Sequence, residues 1–137
     1  MKKYLNISLI YAFAALIFGV FYREFTKWNG YGEVTTLGKV HGHLLMLGTI
    51  VFLLVALFST HLNLKECKMF QVFLWVYNIG IPVTTVMMVV RGIAQVLNIS
   101  LSNAADAAIS GISGIGHIFT GVGMVLFLLS LRKTAED

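Results

Sequence analysis

GKVHGHLLMLGTIVFLLVALFST, residues 38–60, decides how this chain folds. After Lys39 the stretch has no Asp, Glu, Lys or Arg. It exceeds the roughly 20 apolar residues that a helix needs to cross a bilayer. It shows no alternation of polar and apolar residues with the period of two that a membrane barrel strand requires. A membrane-spanning helix is therefore predicted here. Two histidines, His41 and His43, open its otherwise greasy course.

Three further apolar blocks flank it. They cover about residues 4–22, about 70–90 with an extension to 97, and about 107–131. The expected fold is all-α: an integral membrane four-helix bundle, with residues 1–137 as a single transmembrane domain. Composition agrees, because 58% of the residues are hydrophobic and 12% are charged, against about 25% charged in an average soluble domain. A water-soluble core of this size cannot hide that much apolar surface. The net charge of +4 is no nucleic-acid signal, since its lysines and arginines punctuate the apolar blocks as anchors and topology signals.

The first block starts with Lys2 and Lys3, as a signal peptide would. It ends in Phe21-Tyr22-Arg23-Glu24-Phe25, bulky and charged, with no small-residue cleavage site, so a permanent helix is expected. Cys67 is the single cysteine, which excludes an intrachain disulfide and a thiolate metal cluster. Lys2, Lys3, Lys65, Lys68, Arg132 and Lys133 gather on one side, and Arg23, Lys27, Lys39 and Arg91 on the other. The positive-inside rule then places both termini in the cytoplasm, with the loop of about 23–37 outside. Tyr22, Phe25, Trp28 and Tyr31 mark the outer interface, and Trp75 and Tyr77 the inner one. Pro82 interrupts the third block, where it should kink the helix and free the Asn78 carbonyl.

Ionisable residues inside a membrane are expensive, and their presence points to function. The candidates are His41, His43, His117 and Arg91, while His61 lies among polar residues at the inner end of the second helix. Successive helical residues turn by about 100°, so His41 and His43 face opposite sides of their helix. His43 and Met46, three apart, share a face in an α-helix. Neutral imidazole ligates iron, copper and zinc without adding charge to the lipid core. Haem iron takes it on one or both axial faces. His41 and His43 lie only about 5–10 Å inside the outer end of their helix. A haem at that depth keeps its ring in the apolar layer and its propionates at the interface, near Arg23, Lys27, Trp28 and Arg91. Gly111, Gly114, Gly116, Gly121 and Gly123 surround His117; small residues there allow close helix packing and also leave room for a flat cofactor.

His-x-His near the outer end of a long apolar helix, followed by Leu44, Leu45, Met46, Leu47 and Gly48, resembles a stretch of the catalytic subunit of haem-copper oxidases. That family has twelve helices in three four-helix arcs, and its His-x-His pair binds a low-spin haem and the active-site haem. The resemblance covers about twenty residues and the helix count. The whole chain also resembles an uncharacterised family of small four-span bacterial membrane proteins. The third block has no adjacent histidine pair like the one that holds the oxidase copper, so oxygen reduction at a haem-copper centre is not expected. The resemblance implies one free four-helix arc, assembling as a homotrimer or, next, a dimer.

The expected function is a b-type haem carrier, for electron transfer with a redox partner or for redox or gas sensing, and no catalytic residue is assigned. His41, His43 and His117 are the expected ligands, with Met46, Arg23 and Arg91 as further cofactor contacts. A copper- or zinc-handling protein without porphyrin uses the same three histidines. A structural accessory subunit uses them only for hydrogen bonds.

Overall fold

The computed structural model describes residues 1–135 and is helical throughout its four long elements. We label them α1 (Lys2–Trp28), α2 (Leu37–Phe58), α3 (Lys68–Val96) and α4 (Asn103–Ala135). All four are long and apolar enough to cross a membrane. The chain is thus an all-α, multi-pass membrane protein whose apolar outer surface suits contact with lipid.

The helices outrun the apolar blocks at several ends. α1 continues through Arg23 and Lys27 to Trp28, so the first connection is shorter than the expected loop. The reason is that a helix satisfies its own backbone, and long basic and aromatic side chains extend from it into the headgroup layer without ending it. α3 runs unbroken through Pro82, which faces outward.

α1 packs on α2, α2 on α3, and α3 most extensively on α4, whereas α1 and α4 share no packed face. The helices therefore form an open row in chain order, with α1 and α4 at its ends. Small residues set the most extensive contact, that of α3 with α4. A Cβ placed on Gly80 of α3 would lie 2.6 Å from the Thr120 amide nitrogen of α4, and one on Gly116 would lie 2.8 Å from that of Thr84. In lipid, where apolar surface gains nothing from leaving the solvent, such close backbone approach is what holds helices together.

One aromatic row crosses the whole assembly. Tyr11 of α1 stacks on Phe52 of α2 at 5.7 Å, Phe52 on Phe73 of α3 at 6.1 Å, and Phe73 on Phe127 of α4 at 4.9 Å. Flat rings fill the wider gaps between helices and add their own edge and face attraction.

α2 is not uniform. Its middle, Leu44–Ile50, is a π-helix between the α-helical pieces Leu37–His43 and Val51–Phe58. A π turn disturbs the regular carbonyl ladder, and neighbours occupy the carbonyls it offers. Tyr77 donates to the Leu47 carbonyl at 2.9 Å, and Ser8 donates to the Thr49 carbonyl at 2.8 Å. Tyr11 donates to Asn78 Oδ1 at 3.1 Å nearby. Unsatisfied backbone groups cost several kcal/mol each in hydrocarbon (order of magnitude), so these side chains stabilise an irregularity that a lone helix would not keep.

Candidate functional site

The α-helical opening of α2 turns His41 and His43 to opposite sides, as their spacing predicts. His41 faces α1. A Cβ placed on Gly19 would lie 3.7 Å from His41 Cβ and 3.8 Å from its Cγ, an ordinary packing distance. The Nδ1 of His41 is buried and has no hydrogen-bond partner among the described residues. His43 faces the other way, toward α4.

His43 meets His117 there. Their ring centroids are 6.3 Å apart and their planes stand at 89°. α2 and α4 share no packed face, so the two imidazoles look at one another across a cleft. Met87, Met88 and Arg91 of α3 line it, together with Lys39, Ser113 and the two histidines, around a cavity of ≈ 300 Å³.

The hydrogen bonds of the two rings are alike. His43 Nδ1 lies 2.9 Å from the Lys39 carbonyl, and His117 Nδ1 lies 2.8 Å from the Ser113 carbonyl, each one turn earlier in its own helix. A carbonyl can only accept, so Nδ1 carries the proton in both rings. In the neutral imidazole this leaves Nε2 with a bare lone pair. Metal-ligating histidines are oriented in this way, by donating the other ring nitrogen to a carbonyl or carboxylate. His41 has no such partner.

Glycines on α4 fall into two sets. Gly116 and Gly123 are buried against α3, with Thr84 and Tyr77 where a Cβ would go. Gly114 and Gly121 stand one turn before and one turn after His117, on its face, with nothing within 4 Å of a would-be Cβ. Gly111 is equally open. Close packing and open space are thus both present, assigned to different sides of one helix.

Arg91 closes one end of the cleft. Its Nη2 donates to Asp106 Oδ1 at 2.6 Å, to the Asp106 carbonyl at 3.2 Å and to Ser110 Oγ at 2.8 Å. The anion partnering Arg91 within the protein is therefore Asp106, a residue with no motif to announce it in the sequence. Lys39 stands out in the sequence only as a basic residue of the outer side, although its place one turn before His43 puts it on the same face.

Two expected contacts lie elsewhere. Arg23 is 82% exposed on α1 and reaches only its neighbour Glu24, at 3.8 Å. Met46 is exposed on the outer side of α2 and is absent from the cleft. The π turn explains Met46: it begins at Leu44 and holds more residues per turn, so the i, i+3 alignment with His43 is lost. Among the described residues no three His, Cys, Asp or Glu side chains come together as a metal site.

The chain belongs to a family whose description is protein of unknown function (DUF2871), and the family model matches residues 1–134. No curated protein and no solved structure matches the chain.

Proposed function

We propose that this protein is a membrane-bound b-type haem carrier, with His43 and His117 as the axial ligands, serving one-electron transfer. The observation that carries the reading is the matched state of the two rings: Nδ1 tied to a carbonyl, Nε2 bare, centroids 6.3 Å apart. Two imidazoles that share one metal ion from opposite sides, with bonds of about 2 Å, have centroids about 6 Å apart. The porphyrin would supply four further nitrogens, so two protein ligands suffice. The open surface at Gly114 and Gly121 gives a flat macrocycle room on either side of His117. The cleft would hold one edge of it, with Lys39 and Arg91 at the outer rim for its propionates. Arg23, far from the cleft, serves as an interfacial anchor.

Two ligands favour electron transfer over gas binding, because a six-coordinate iron offers no free position. They also weigh against copper or zinc held without porphyrin. Structural zinc takes four ligands, and the cleft offers two histidines with no third donor of its class among the described residues. The likeness of His41–Gly48 to the oxidase helix adds only that such a stretch suits haem. The site lies toward the end of α2 that we assign to the outer face of a bacterial cytoplasmic membrane, with both termini inside.

α1 covers His41 and α4 covers His43, so one chain covers both sides of α2. The part of the macrocycle projecting from the cleft is what a second copy would shield, in a dimer or trimer.

An absorbance spectrum of the membrane-extracted protein, before and after dithionite, tests the reading. A Soret band with sharpened visible bands on reduction is expected. Protein that takes up no haem when titrated with it, or whose bound haem shows no sharpened visible bands on reduction, would refute it.

A further inference from the structure

We infer that Asp106, together with Ser110, is a positioning residue that aims Arg91 at a carboxylate on the edge of the cleft ligand, and so selects a ligand with acidic substituents. The inference rests on the porphyrin reading and names a further determinant of the same site.

Arg91 is held by one nitrogen. All three of its hydrogen bonds come from Nη2, and no described residue bonds Nη1 or Nε. The side chain forms a wall shared by the His43–His117 cleft and a second cavity of ≈ 330 Å³ that Asp106 and Asn103 also line. Asp106 lies on the second cavity and not on the first. One edge of the guanidinium is thus pinned from the far side, and the remaining donors stay available. A guanidinium presents its donors in a rigid fork, so fixing one arm fixes the direction of the rest.

Depth agrees with such a role. Ser110 precedes His117 by about two turns, which is about 10 Å of helix rise, and Lys39 precedes His43 by about one. Both cations of the cleft therefore lie outward of the imidazoles, at the reach of substituents on a macrocycle between them. The charge balance also fits. Lys39 and Arg91 both line the cleft, and Asp106, on its far side, pairs with Arg91 alone, which leaves a positive rim. Without Asp106 and Ser110, a long arginine at the membrane edge would extend toward water, and the fork would no longer be organised before the ligand arrives.

The test titrates haem-free protein in detergent with iron protoporphyrin IX and with its dimethyl ester, which has the same ring and no carboxylates. Wild type should bind the free acid more tightly than the ester. Asp106→Ala should weaken the free acid about tenfold, the worth of one charge-assisted hydrogen bond, and leave the ester unchanged. Asp106→Asn keeps the acceptor oxygen and should recover most of the loss. Equal weakening of both porphyrins would mean that Asp106 only braces the α3–α4 connection, and would overturn the inference. So would a wild type that binds acid and ester equally, or an Asp106→Ala that binds the acid unchanged. Wild type that binds neither porphyrin would sink the haem reading itself.

Discussion

His43 and His117, 74 positions apart in the chain (117 − 43), bring their imidazole rings to 6.3 Å across the α2–α4 cleft, each with Nδ1 bonded to the carbonyl four residues before it. His41, two residues from His43, points away toward α1. Replacing the histidines one at a time separates these roles. His43→Ala and His117→Ala should each abolish the low-spin haem spectrum. His41→Ala should keep it. Loss of the spectrum in His41→Ala alone would move the site to the other side of α2.

The two sets of α4 glycines should respond in opposite ways. Gly114→Leu places a bulky side chain beside His117 in open space, so the fold should persist while haem occupancy falls severalfold. Gly116→Ala, like Gly80→Ala opposite it on α3, presses a methyl group against backbone of the facing helix. Overpacking of this kind costs about 1–3 kcal/mol, and thermal unfolding in detergent would register it. Unchanged haem content in purified Gly114→Leu would argue against a macrocycle on that face.

Arg91 and Arg23 should part company too. Arg91→Leu removes the fork at the rim of the cleft and strands Asp106 without its cation. Haem affinity should drop about tenfold or more, by the loss of a charge-assisted contact. Arg23→Leu, on the exposed surface of α1, should leave it within twofold of wild type (about 0.4 kcal/mol). Equilibrium titration of both variants checks the contrast, and equal effects would contradict the assigned geometry.

Tyr77→Phe should weaken the fold. The Tyr77 hydroxyl bonds the Leu47 carbonyl inside the π segment, and its ring is fully buried. Leaving that carbonyl without a donor costs about 1–3 kcal/mol. Hydrogen exchange should rise over residues 44–50 while α4 stays protected. A variant as stable as wild type would mean that the π turn needs no outside donor.

Orientation can be read from cysteine labelling, though not at the native thiol. Cys67 is buried, so its failure to label would say nothing about sidedness. In a Cys67→Ser background, the exposed positions Lys65 and Val34 serve instead. With both termini inside, an impermeant maleimide on intact cells should label Val34→Cys and spare Lys65→Cys. The reverse pattern would invert the topology.

The four spans were legible in the sequence because the cost of exposed backbone in hydrocarbon is met within each helix, and apolar length alone reports it. The opposite directions of His41 and His43 were legible for a related reason: two residues of one α-helix have their angle set by local geometry. Helix ends were less so, since Arg23 and Lys27 break the apolar run without breaking the helix. Nothing local announced the π turn that swings Met46 out of line, because it depends on donors from Ser8 and Tyr77 on other helices. Nor could the chain order alone say that His43 meets His117, that Asp106 holds Arg91, or which glycines pack and which stand open. Those follow from α3 sitting between α2 and α4, where it packs most extensively on α4 through glycine and threonine backbones and also meets α2 closely, with Gly92 against Leu37.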